Sequence, residues 1–289
     1  MTERDRLIAV DLGGARMRAA CVDETGECAE VLRRSTGRLR PGREIVEDLF
    51  QLIMRCRGEA GPGRLCVGVP TVLDEAGGLT ECDNLPTLTG FRLAEYLGDR
   101  CEAPVCLFND AQCLAAGEWW RGAAQGAGIV CGVTLGTDIG LGLMFDGRLY
   151  RGGHGAAGGI WQSCWEDGTV EDRISGQALA AEYRRRSGQE RDGPELAALA
   201  RAGDVAALES FHQFGLDLGR VTAFIVNLLD PEFVVYGGAI AESFEFFRHP
   251  LRAVVAASTG PRVRTQLVTS RLGEKAALLG AAKLCWDAC

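Results

Sequence analysis

The chain has 289 residues, 47% of them hydrophobic and 24% charged, and carries a formal net charge of −8. That length allows one large domain or two medium ones, and the composition is ordinary for a globular protein. The acidic balance argues against a nucleic-acid partner, whose binding rests on Lys and Arg against phosphates. No apolar run approaches the roughly 20 residues that span a bilayer, so no membrane partner is expected. The charged opening, residues 1–6, leads directly into a strand and is unlike a signal peptide, which predicts a cytoplasmic location.

In chain order, residues 7–12 read as a buried strand ending in Gly13-Gly14, with 18–22 as its hairpin partner. Ile45, Leu49, Leu52 and Ile53 recur at helical spacing and predict an amphipathic helix over 44–57. A strand follows over 64–69, closed by Pro70, then a short helix over 91–97. The strand 104–108 runs into Asn109-Asp110, where a helix over 111–121 begins. These pieces fit a mixed sheet flanked by helices.

A second unit starts near residues 122–124. Strands over 128–135 and 140–145 are joined by a glycine-rich turn, and Asp146-Gly147 signals a hairpin before 148–150. Residues 171–187 read as largely helical. The stretch 202–229 reads as one long helix or two. A buried strand over 233–236 precedes Gly237-Gly238, and 273–284 forms a last helix. The strand leading into Asp11-Leu12-Gly13-Gly14 and the strand leading into Leu135-Gly136-Thr137 echo one another, which predicts two similar halves facing a cleft.

The twelve cysteines, Cys21, Cys28, Cys56, Cys66, Cys82, Cys101, Cys106, Cys113, Cys131, Cys164, Cys285 and Cys289, include no C-x-x-C pair. Cys66, Cys106 and Cys131 sit in apolar runs, where Cys acts as a small hydrophobe. With three His in the chain, zinc is expected to be absent and the thiols reduced.

Three segments carry candidate chemistry. Asp11-Leu12-Gly13-Gly14 sets a carboxylate beside two residues without side chains. It reads either as a plain hairpin or as a phosphate turn whose Asp11 holds magnesium through water. Gly136-Thr137-Asp138-Ile139-Gly140-Leu141-Gly142 reads either as a glycine-rich hairpin or as a second phosphate loop, and Gly237-Gly238 offers a third close-approach turn. Asn109-Asp110 reads either as a helix cap or as a catalytic pair. In the second reading Asp110 accepts the proton of an alcohol attacking phosphorus and Asn109 fixes a neighbouring hydroxyl.

The order Asp11-x-Gly13-Gly14, Asn84, Asn109-Asp110, Leu135-Gly136-Thr137, 158–162, 171–176, 227–232 and Gly237-Gly238 resembles the ROK family of bacterial sugar kinases and sugar-responsive repressors, within the actin-like/hexokinase superfamily. The resemblance runs from about residue 7 to 284. It implies an α/β protein of two ribonuclease-H-like domains around a cleft, with residues 1–114 plus 274–289 in one and 115–273 in the other. It implies ATP with Mg2+ and a sugar in that cleft, Asp110 as base, and Asn84, Asn109, Glu171 and Gln162 on the sugar. Asp11, Gly13, Gly14, Gly136 and Thr137 fall on the phosphates, and Gly237 and Gly238 beside the adenosine. A homodimer is likewise implied. Asn84-Leu85-Pro86 and the segment 153–158 look most like allose kinase.

The chain also departs from the family pattern. Gly158-Gly159-Ile160-Trp161-Gln162 stands where the family carries Gly-Glu-Ile-Gly-His. The cysteine-rich zinc loop is reduced to Cys164, and Trp161 and Trp165 either stack on a sugar or fill the space. Asp138 stands where the family commonly has glycine. Two functions remain open: an ATP-dependent sugar kinase, and a non-catalytic sugar or nucleotide sensor on the same fold. A DNA-binding repressor fits poorly, since only six residues precede the first strand.

Overall fold

The structure is a computed structural model and describes residues 6–58, 63–73, 78–166 and 168–288. Its first half holds β1 (Arg6–Leu12), β2 (Arg16–Asp23), β3 (Leu32–Ser35), α1 (Gly42–Arg57), β4 (Leu65–Val69), the ribbon β5 (Val72–Leu73) and β6 (Leu79–Glu81), α2 (Leu93–Cys101), β7 (Val105–Asn109) and α3 (Asp110–Arg121). The second half holds β8 (Ile129–Leu135), β9 (Ile139–Phe145), β10 (Arg148–Leu149), the ribbon β11 (Cys164–Trp165) and β12 (Gly168–Thr169), α4 (Gly176–Ser187), α5 (Gly193–Arg201), α6 (Val205–Leu229), β13 (Phe233–Gly237), α7 (Phe244–Ser258), β14 (Gln266–Thr269) and α8 (Ala276–Asp287).

The two main sheets share one plan. The first runs β3-β2-β1-β4-β7 and the second β10-β9-β8-β13-β14. In each, three antiparallel strands are followed by two parallel ones. The expected ribonuclease-H-like pair is therefore present, and the two glycine turns occupy equivalent places, each joining the first antiparallel pair of its sheet. Both β1 and β4 are buried along almost their whole length, because helices cover both faces of the parallel part of such a sheet.

Three buried clusters hold the molecule together. One lies under α1 and α2 against the first sheet. Another lies under α4, α5, α6 and α7 against the second. The third is built around α3 and α8 and takes side chains from both sheets, among them Ala9, Cys66, Val130 and Val235. The two helices cross at Gly117 and Gly280. A Cβ on Gly280 would overlap the Cys113 carbonyl oxygen, and one on Gly117 the Ala276 carbonyl oxygen. Side-chain-free positions on both helices are what allow so close a crossing.

Several boundaries differ from the sequence expectations for local reasons. The helix expected from 171 begins only at Gly176. The Ser175 hydroxyl accepts from the Ala178 N–H at 3.1 Å and caps the helix there. The stretch 202–229 is a single helix from Val205, capped by Asp204. Residue Gly203, at φ +86°, belongs to the turn after α5. Helix α5 is not among the expected elements; Asp192 and Glu195 form a capping box at its start. The last helix begins with a 3₁₀ turn over Gly273–Lys275 before α8. No helix among the described residues is long and apolar enough to cross a membrane. Residues 1–5, Asp167 and Cys289 lie outside the described residues; the other eleven cysteines form no disulfide.

Candidate active site

Asp110 owes its place to two elements. The end of β7 delivers Asn109, whose Oδ1 accepts from the N–H groups of Ala111 and Gln112 at 3.0 and 3.4 Å and caps α3. Asp110 is thus the first residue of the helix, and its own Oδ1 accepts from the Ala111 N–H at 2.8 Å. Helix α3 lies directly on β9 because Gly140 and Gly142 carry no side chain. A Cβ on Gly140 would sit 2.9 Å from the Ala111 Cβ, and one on Gly142 would overlap the Ala111 carbonyl. Asn109 therefore serves as the cap, and its Nδ2 donates to the Thr71 carbonyl at 3.3 Å. The same side chain also faces the cleft.

The environment of Asp110 changes its chemistry. Burial, reinforced by the negative charges of Asp11 and Asp138, pushes its carboxyl up to about 7, against the lowering effect of the Ala111 N–H. Asp11 is 8% exposed and receives Arg18 Nη1 at 2.6 Å. Burial still raises its carboxyl, and Arg18 only partly offsets that. Asp11 and Arg18 are direct cross-strand partners in the β1–β2 hairpin. Arg18 also approaches Glu274 at 3.7 Å, and Glu274 pairs with Arg33.

The segment just before Glu274 is held in turn by a carboxylate that sequence reading missed. Glu118 of α3 is fully buried. It accepts from Ser270 Oγ at 2.5 Å and from the N–H groups of Ala123, Leu272 and Arg271 at 2.7, 3.0 and 3.2 Å. It ties the end of α3 to the segment that leads into α8. The signal for Arg18 was available in the register of the first hairpin. None was available for Glu118, whose partners beyond Ala123 lie 152 to 154 positions away.

A single cleft of about 1870 Å³ collects most of the expected site. Asp11, Gly13, Gly14, Asn84, Asn109, Asp110, Gly136, Thr137, Glu171, Gly237 and Gly238 all line it. Gln162 does not; it is exposed at the end of a 3₁₀ turn, and its neighbour Trp161 faces the cleft instead. The turns are constructed from their own amides. Gly13 N–H donates to the Arg16 carbonyl at 3.0 Å and Gly136 N–H to the Asp138 carbonyl at 3.0 Å. Gly136 in addition accepts from Gly176 N–H at 2.8 Å, which seats the N-terminus of α4 against the second turn. Gly238 adopts φ +90° and is exposed, a conformation that favours glycine.

The cleft also holds an acidic cluster around Asp138 and Glu171. Burial first, then the neighbouring Asp138 charge, pushes Glu171 up to about 7, while the Ile139 N–H donated to it pulls the other way. Asp138 is also raised by burial and by Asp83, against Arg38 and a hydrogen bond from the Asn84 side chain. Among the described residues no three His, Cys, Asp or Glu side chains are arranged to hold a metal ion. For a magnesium bound through water, Asp11 is the carboxylate at hand, beside the glycine turn and with one oxygen already tied to Arg18.

The description of the ROK family matches residues 7–288. The chain is 29% identical over 307 residues to a glucokinase of Thermotoga maritima, covering 96% of each chain. It is 27% identical over 296 residues to an N-acetyl-D-glucosamine kinase of Photobacterium profundum, covering 95% of this chain and 97% of that one. Among solved structures, a ROK family glucokinase from Streptomyces griseus in complex with glucose and AMPPNP superposes with a TM-score of 0.85 at 25% identity, covering 96% of this chain and 98% of that one.

Proposed function

The chain belongs to the ROK family, and from that premise we propose that it is a sugar kinase, transferring the γ-phosphoryl group of ATP to a hydroxyl of a hexose or hexose derivative. The observation that carries the proposal is Asp110: a cleft-lining carboxyl at a helix start, raised to about 7. A general base serves best with a pKa near the working pH. The relatives supply the reaction class, since those with named activities include glucokinase and N-acetylglucosamine kinase.

In this reading the acceptor hydroxyl is held with its oxygen in line with the γ-phosphorus. As the new O–P bond forms and the bond to the ADP oxygen breaks, the hydroxyl proton passes to the Asp110 carboxylate and ADP departs with the electron pair. Asn84, Asn109 and Glu171 hold the sugar. Gly14 and Thr137 approach the phosphates, while Gly13 and Gly136, whose amides are spent inside their turns, keep those turns in shape. Gly237 and Gly238 lie beside the adenosine. Asp11 would hold a magnesium ion through water, and that ion would supply charge neutralisation on the phosphates. The two domains around the cleft are residues 1–114 with 274–289, and 115–273. The same reading makes the enzyme a cytoplasmic homodimer.

The test is a coupled ADP-release assay over a panel of hexoses and N-acetylhexosamines, repeated with Asp110→Asn. The expected result is turnover of at least one sugar and its loss in the variant. Undiminished phosphorylation by Asp110→Asn removes Asp110 as base. A sensor is the second reading, favoured by Asp138, a carboxylate inside a turn meant for phosphates. Calorimetric sugar binding without turnover of any sugar would select it.

A further inference from the structure

The acceptor face is built almost entirely of hydrogen-bond acceptors. Asp138 and Glu171 line it together with Asn84. Asn84 lies in the opposite half of the molecule and donates its side-chain amide to Asp138 across the cleft. That leaves Asn84 Oδ1, which is enclosed and has no hydrogen-bond partner among the described residues. The Asn84 backbone is fixed beside the first glycine turn, where a Cβ on Gly14 would lie 3.0 Å from the Asn84 carbonyl oxygen. Glu171 is fixed from two sides. Its carboxylate accepts from Ile139 N–H, and its own N–H donates to the Trp161 carbonyl at 3.2 Å.

The charges around this point do not balance. Asp83 and Asp110 also bear on Asp138 and Glu171 or are influenced by them, and Arg38 is the cation that offsets Asp138. Burial together with like charge lifts both carboxyls even with Arg38 near Asp138, which is the response of a site with too little counter-charge. The enclosed Asn84 oxygen is an independent sign, since a buried acceptor without a donor is destabilising. A divalent metal is a poor answer, since among the described residues no set of carboxylates converges on one. A neutral hydroxyl brings a single donor. An ammonium group brings three donors, no acceptor and a positive charge. Its count matches Asp138, Glu171 and Asn84 Oδ1.

We infer that the acceptor sugar carries a free amino group, and that Asp138 and Glu171 are the specificity-determining residues that read it as ammonium, with Asn84 Oδ1 as the third acceptor. The inference rests on the sugar-kinase reading and narrows its substrate class. An N-acetylated amine, being neutral and bulkier, loses both the charge and two of the donors.

The test compares kcat/KM at about pH 7 for three matched probes, D-glucosamine, D-glucose and N-acetyl-D-glucosamine, and repeats the comparison with the galacto and manno sets. A charge-assisted hydrogen bond predicts a preference of about tenfold or more for the free amine over its hydroxyl parent in at least one set. Asp138→Asn, which keeps the shape and removes the charge, should bring that ratio towards one, and Glu171→Gln should lower it as well. Turnover of neutral hexoses with no gain from the amine overturns the inference while leaving the kinase reading intact. So does a ratio unchanged in Asp138→Asn, including the case in which that variant alters only the magnesium requirement. Should no sugar turn over, calorimetry of D-glucosamine against D-glucose with AMPPNP present decides the matter. An amine preference lost in Asp138→Asn upholds the inference and turns the kinase reading into a sensor reading, and equal binding overturns it.

Discussion

The two faces of the cleft are made differently. The base face hangs on the framework: the capped start of α3 fixes Asp110, and the β1–β2 hairpin fixes Asp11 through Arg18, which approaches Glu274 just after the segment that Glu118 ties to α3. The acceptor face hangs on connections: Asn84 precedes a 3₁₀ turn, Asp138 sits in the turn between β8 and β9, and Glu171 follows the ribbon of β11 and β12. A framework fixes a reactive group with little freedom to vary, whereas loops can be rebuilt without disturbing the core. In the proposed reading the group that takes the proton rests on framework elements, whereas Asn84, Asp138 and Glu171 rest on connections.

That contrast can be broken most forcefully at Asp110. Asp110→Asn should lower kcat by about 10²–10⁴, the range for a general acid–base group, with much smaller change in sugar binding. An equal loss from any single acceptor-face variant would erase the distinction between the faces. Next in size is the support beneath the base face. Glu118→Ala removes the partner of the part-buried N–H groups of Ala123, Arg271 and Leu272 and of the Ser270 hydroxyl, and should cost about 1–3 kcal/mol in chemical denaturation. A surface-like loss below about 0.5 kcal/mol would show that the segment before α8 stands without it.

The raised carboxyl of Asp110 gives a smaller effect with a definite sign. Its folded pKa, about 7, lies above the ordinary carboxylate value. The folded state therefore holds its proton more tightly than the unfolded chain. The resulting stability is present at low pH and is lost as pH rises through about 7. Asp110→Asn should accordingly melt higher than the wild type at pH 8, with the gap closing below about pH 5. A gap that grows on acidification contradicts the assignment. Smallest is the effect expected at Trp161, which lines the acceptor side. Trp161→Ala should raise the sugar KM several-fold with kcat nearly kept if the ring touches sugar, and should lower only the melting temperature if the ring merely fills space.

The same division decided what the sequence revealed. The repeated strand–turn–strand pattern announced both sheets, because alternation and glycine turns are local signals. Asn109-Asp110 was legible because a cap and a catalytic pair place the same residues at the same helix start. Arg18 needed the hairpin register, which pairs it with Asp11. Glu118 needed the tertiary fold, since an acidic residue on an apolar helix says nothing of partners beyond position 260. On the acceptor face, the backbone of the turn decides that Trp161 enters the cleft and Gln162 leaves it, and one residue of offset in a short 3₁₀ turn is beyond what residue type can tell. The helix expected from 171 failed for a similar reason: the cap at Ser175 overrides the helical composition before it.

The central claim is that Asp110 takes the acceptor proton during phosphoryl transfer. Its most direct test is the single-turnover rate of sugar-phosphate formation from bound ATP between about pH 5 and pH 9, in the wild type and in Asp110→Asn. The account predicts a rate that rises with loss of one proton near pH 7 and a low, flat profile in the variant. A wild-type rate independent of pH, or a variant that keeps the wild-type profile, would contradict it.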